Sequence, residues 1–169
     1  GTGGHMIPAH ALAAELKARG HAVLLITDER GARIPGLFAG VPVNILPAGR
    51  LAKNPIGLIK ALRSVMAGRR EAKRLYSEFR PHCVVGFGGY PAFPALLAAS
   101  AMGIPTVLHE QNAVLGRVNR LLAGEAKAIA TAYERIERLK PRHQGKAVLV
   151  GNPVREPIVR LGEVPFPAF

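Results

Sequence analysis

The sequence has no tryptophan, one cysteine and few aromatic residues, which make up 5% of its 169 positions. So few rings suit poorly a surface that stacks on unpaired bases. The lone Cys83 has no partner for an internal disulfide, and its apolar run Cys83-Val84-Val85-Gly86-Phe87 reads as strand packing. No Cys/His cluster has the spacing of zinc ligands, and neither metal nor cofactor is expected. No apolar run approaches the roughly 18 residues of a spanning helix, and no secretory signal opens the chain. These absences fit a reducing cytoplasm. Acid is also scarce: 11 Asp plus Glu stand against 23 Lys plus Arg, a formal charge of +12. A domain this basic seeks phosphate, whether in nucleic acid, anionic lipid or a phosphorylated substrate, and charge alone does not choose among them.

What is present is an alternation of strand-like and helix-like segments. Helices are expected over residues 8–19, 55–80, 94–102 and 116–123, and strands over 22–27, 41–46, 83–87, 106–110, 128–133 and 147–150. Apolar, unalternating strands separated by helices predict a Rossmann-like α/β fold, a parallel sheet with helices on both faces. The glycine-rich opening lacks the strand that should feed it, so the sheet is expected to miss its first strand. The tail Val164-Pro165-Phe166-Pro167-Ala168-Phe169 is apolar and broken by proline, and the chain reads as a fragment.

The segment 55–80 is unusually basic, and Arg50, Lys53, Lys60, Arg63, Arg69, Arg70, Lys73 and Arg74 crowd it and its approach. Leu58, Ile59, Leu62, Val65 and Met66 share one arc at about 100° per residue. Beyond Gly68 the apolar positions become Ala72, Leu75, Tyr76 and Phe79, on an arc turned by roughly a quarter revolution. A break near Gly68 is the expected explanation. A helix with apolar and basic faces suits an anionic membrane surface; a core-packed helix with a solvated basic exterior is the other reading.

Four motifs carry the candidate chemistry. Gly1-Thr2-Gly3-Gly4-His5 runs into the first helix, where glycines admit a close ligand and helix N–H groups favour anions such as diphosphate. Met6 stands where the dinucleotide fingerprint needs its third glycine, although Asp28 falls where a ribose-binding acid would sit. Gly86-Phe87-Gly88-Gly89-Tyr90-Pro91 is a second glycine loop between strand and helix, with Tyr90 either touching a ligand or plugging the loop. His109-Glu110-Gln111-Asn112 ends a third strand, and Gly151-Asn152-Pro153-Val154-Arg155 follows the last. In an open parallel sheet these turns share one rim, where ligands bind. His5 and Glu110 are the well-placed proton acceptors, and the residues alone do not choose between them.

Taken in order, these motifs, with Gly103-Ile104-Pro105-Thr106-Val107-Leu108 leading into the third, resemble the MurG family of peptidoglycan transferases through nearly the whole chain to Arg155. The resemblance implies a GT-B glycosyltransferase of which this is the N-terminal, acceptor-binding domain, residues 1–155. Residues 156–169 would begin a linker to a donor-binding domain not contained here. The implied reaction passes N-acetylglucosamine from UDP-N-acetylglucosamine to the 4-hydroxyl of undecaprenyl-pyrophosphate-linked lipid I, with inversion and without metal. Thr2, Gly3, Gly4, Asn112 and Arg155 would contact the sugar nucleotide, and Gly88, Gly89, Tyr90 and His109 the acceptor, with His5 or Glu110 as general base. Ile56, Ile59, Lys60, Arg63, Met66, Arg69 and Arg70 would dock on the cytoplasmic face of the membrane. No nucleic-acid partner is expected. A dinucleotide-binding oxidoreductase domain, a nucleic-acid-binding basic domain and another GT-B lipid glycosyltransferase are the rival readings.

Overall fold

The computed structural model describes residues 3–34, 40–47 and 54–162. Thr2, Arg50, Lys53 and the tail from Val164 lie outside them. The order is α1 (Gly3–Ala18), β1 (Leu25–Thr27), α2 (Glu29–Ala32), β2 (Val43–Ile45), α3 (Pro55–Phe79), β3 (Val84–Gly86) and α4 (Ala92–Ala101). There follow β4 (Thr106–Glu110), α5 (Arg117–Leu122), β5 (Ala128–Thr131), a 3-10 turn (Pro141–Lys146), β6 (Ala147–Leu149) and α6 (Glu156–Leu161). Every ladder among the described residues is parallel: β1 pairs with β2, and β3, β4, β5 and β6 pair in that order.

Alternate side chains of a strand point to opposite faces, and both faces of the β1 segment are covered. Val23 and Leu25 pack on Met6 and Ala13 of α1, while Leu24 and Ile26 pack on Leu75, Tyr76 and Ala95 of α3 and α4. In the larger sheet, Leu108 and Ile129 are register partners and share one face, where Leu108 meets Leu96, Val118 and Leu122 and Ile129 meets Leu115 and Ala123. Two-sided burial is why the first strand reads as an apolar run without alternation. Between β1 and β3 no ladder forms. An open, mostly apolar slot of about 210 Å³ separates these edges, floored by Met6 and Ala9 and roofed by Tyr76 and Ala95.

The structure departs from the sequence reading in several places. α3 is one continuous helix and does not break at Gly68. At about 100° per residue, the buried positions Ala61, Gly68, Ala72, Leu75 and Tyr76 share one arc about 100° wide. A single face packs along the whole helix, so the apolar arc of its first half is not the packing face. Gly68 is small because the Pro47 carbonyl and the Pro94 ring press on the helix: a Cβ there would sit 2.5 Å from that oxygen and 3.1 Å from Pro94 Cβ. Gly68→Ala therefore pits about 1 kcal/mol of helix propensity against a clash with backbone that cannot swing aside. The clash is expected to prevail, with a net loss of about 1–3 kcal/mol in urea unfolding.

α1 begins at Gly3, five residues before its predicted start, and Pro8 lies inside it. The two glycines and His5 thus form the first turn of the helix and not a loop ahead of it. Cys83 is exposed one residue before β3, where it lines the slot, so it contributes little strand packing. Asp28 caps α2, accepting from Gly31 N–H at 2.9 Å and pairing with Arg30 at 3.2 Å. That capping role accounts for an acid at this position. α2 and α6 had no counterpart in the sequence reading.

Candidate functional site

Parallel pairing brings the C-terminal ends of β3, β4, β5 and β6 to one edge, and the predicted motifs meet there. After β3, Gly88 and Gly89 take left-handed backbone angles, φ +80° and +75°, which an L side chain resists. That turn brings the loop against α1. A Cβ built on Gly88 would stand 3.5 Å from His5 Nε2 and 3.5 Å from Asn119 Nδ2, and one on Gly89 would stand 3.7 Å from His5 Nε2. Two helices distant in sequence, α1 and α5, thus converge on this turn. Gln111 Nε2 donates to Phe87 O at 2.9 Å, tying the β4 loop to the β3 loop.

His109 and Glu110, at the end of β4, are both buried. The His109 ring lies 5.2 Å from that of Phe87, and its Nε2 is 3.2 Å from Gly151 O. A carbonyl only accepts, so Nε2 carries the proton, which leaves buried Nδ1 as an acceptor with no hydrogen-bond partner among the described residues. Glu110 Oε1 accepts from Asn112 N–H at 3.2 Å and Asn112 Nδ2 at 3.1 Å, and Oε2 from Gly116 N–H at 2.8 Å and Asn119 Nδ2 at 3.0 Å.

Burial, against the opposing pull of Glu110, holds the His5 imidazole below the usual histidine value. The same cause lowers His109, opposed by its bond to Gly151 and by Glu110. Each ring thus binds its proton less readily folded than unfolded. Between the lowered folded values and about 6.5 for the unfolded chain, the unfolded state holds more protons, so stability falls as pH drops through that window. The urea midpoint is expected to be lower at about pH 5.5 than at about pH 7.5, and H109Q should flatten that difference.

Not every predicted residue joins the cluster. Tyr90 is half-buried against Leu96, Leu108 and Val118, which favours its role as a plug in the loop. Gly3 and Gly4 form the exposed first turn of α1, close to the rim through His5. Asn112 is exposed and folded back on Glu110. Arg155 stands exposed at the N-cap of α6, with no side-chain hydrogen bond to the cluster among the described residues. Asn119 and Gln111 were not singled out in sequence as site residues, yet they hold the loops together. Among the described residues no three His, Cys, Asp or Glu side chains gather to hold a metal.

Outside this cluster, the exposed face of α3 combines Ile56 (68% exposed), Ile59 (54%), Leu62 (62%) and Met66 (52%) with exposed Lys60, Arg63 and Arg70. Arg69 is half-buried at its margin. These apolar and basic residues interleave over about 160° of one helix face. Among the described residues no helix is long and apolar enough to cross a membrane.

A parallel α/β domain with glycine turns and buried polar groups at its strand ends is a ligand-binding domain of the doubly wound class. Its family follows from comparison: the glycosyltransferase family 28 N-terminal domain matches residues 1–131, and the chain belongs to that family. Over 169 residues it is 62% identical to the UDP-N-acetylglucosamine--N-acetylmuramyl-(pentapeptide) pyrophosphoryl-undecaprenol N-acetylglucosamine transferase of Erythrobacter litoralis, covering 100% of this chain and 42% of that protein. The protein of the same name from Novosphingobium aromaticivorans is also 62% identical, over 100% of this chain and 44% of its own length. The crystal structure of Acinetobacter baumannii MurG superposes with a TM-score of 0.74 at 30% identity, over 92% of this chain and 44% of that one. The chain spans less than half the length of the curated relatives it matches.

Proposed function

We propose that this chain is the acceptor-binding half of a transferase that moves N-acetylglucosamine from UDP-N-acetylglucosamine to the 4-hydroxyl of the N-acetylmuramyl sugar of undecaprenyl-pyrophosphate-linked lipid I. One observation carries the reading: His5, the Gly88–Gly89 turn and buried His109 and Glu110 meet at a single rim. The names of the two relatives above supply the substrates. In the reaction the acceptor oxygen attacks the anomeric carbon as the bond to the UDP oxygen breaks, UDP leaves with the electron pair, and configuration inverts. His5 takes the hydroxyl proton, its lowered pKa keeping the ring neutral near pH 7. The N-terminal amides of α1 and the amides of the left-handed glycine turn offer donors to pyrophosphate oxygens.

Gly88, Gly89 and His109 line the acceptor side, with Tyr90 plugging the loop behind them; Gly3, Gly4, Asn112 and Arg155 face the sugar nucleotide. Residues 1–155 form the acceptor domain, and 156–169 begin the link to a donor-binding one. The basic, apolar face of α3 docks on anionic lipid at the cytoplasmic surface of the membrane, where a lipid-linked acceptor resides. The test joins this chain to the C-terminal region of the Erythrobacter litoralis relative. The purified 169-residue chain is expected to bind a lipid I analogue in calorimetry without turning over, and the joined protein to form product. Turnover by the chain alone, or nicotinamide binding without a response to lipid I analogue, would refute the reading.

A further inference from the structure

Glu110 and Asn119 form a buried pair at the rim that proton transfer does not use. A carboxylate offers about four lone-pair sites, and Glu110 has a donor on each: two from Asn112, one from Gly116 and one from Asn119. No site remains for the proton of an incoming hydroxyl. Asn119 is 1% exposed on α5, and its Nδ2 donates both to Glu110 Oε2 and to His109 O at 3.1 Å. One amide thereby grips the end of β4 and the carboxylate beyond it. The same nitrogen lies against Gly88, on the turn that also touches His5.

We propose that Asn119 is a positioning residue: its amide pins the Glu110 carboxylate to the start of α5, so that Glu110 serves as a fixed negative charge beside His5 and not as a proton acceptor. This deepens the reading of His5 as the base and rests on it. Two histidines, His5 and His109, feel the Glu110 carboxylate. A charge that swings away when its clamp is cut supports a protonated ring less well. Asn119 Oδ1 is buried with no hydrogen-bond partner among the described residues, so the contacts the amide makes there are those its nitrogen donates.

The test is made on the 169-residue chain itself, by NMR titration of ring nitrogens, and needs no turnover. N119L removes the donor at similar volume, and E110Q removes the charge while keeping an acceptor for Asn119. Both are expected to move the His5 titration to lower pH, E110Q by more. In N119S, whose hydroxyl is too short to reach Glu110, the Asn112 and Gly116 amides should exchange faster while Leu108 within β4 keeps its protection. That milder variant decides the matter if N119L does not fold. An unchanged His5 titration in E110Q, or unchanged Asn112 and Gly116 exchange in N119S, overturns the proposal. Failure of His5 as base shows separately, as full turnover of H5Q in the joined protein.

Discussion

Replacing His5 by glutamine, in this chain joined to the C-terminal region of the Erythrobacter litoralis relative, is expected to lower kcat by about 10²–10⁴-fold. Glutamine fills similar space and keeps a polar contact with the Gly88–Gly89 turn, so KM for both substrates should change little. A base works only when deprotonated. The wild-type rate should therefore fall on acidification through the lowered pKa of His5, and H5Q should lose that limb of the pH–rate profile. Steady-state kinetics over a pH series measures both effects. Retention of kcat within about tenfold would move the proton acceptor elsewhere.

The second large effect belongs to α3. A basic residue near an anionic surface contributes about 1 kcal/mol, so neutralising Lys60, Arg63 and Arg70 together removes about 3 kcal/mol. At about 1.4 kcal/mol per tenfold, K60Q/R63Q/R70Q should partition onto phosphatidylserine vesicles about 10²-fold less well. Because these side chains are exposed, stability should be nearly unchanged. L62S/M66S should instead weaken binding to anionic and neutral vesicles alike, since apolar burial does not depend on lipid charge. Vesicle sedimentation at two salt concentrations separates the contributions, the charged one fading with salt. Equal partition of the charge variant and the parent would leave the exposed Ile56, Ile59, Leu62 and Met66 without a membrane role.

The parallel sheet and its rim were legible because their signals are local. Apolar runs mark two-sided burial, and glycine pairs after strands mark turns needing left-handed angles, as Gly88 and Gly89 do. Asn119 was not legible: a lone amide in a short polar-looking helix gives no sign in sequence that it is buried and reaches back to Glu110. The α3 break was misread for a related reason. Hydrophobicity marks the face a helix hides only when all its apolar residues are hidden, and here Ile59, Leu62 and Met66 are not. Gly68 looked like a hinge, yet it marks where the Pro47 carbonyl comes close. Cys83 followed its apolar neighbours in sequence but not in burial.

The two ladders bear on how the rim keeps its shape. Hydrogen bonds knit β3 to β6 into one fabric, and β1 and β2 lie against it through apolar side chains that grip α1, α3 and α4. His5 belongs to α1, whereas Gly88, His109 and Glu110 belong to the β3–β6 side. The spacing between His5 and the glycine turn is therefore set by greasy contacts, so a substitution deep in that grip can shift the proposed site without touching it.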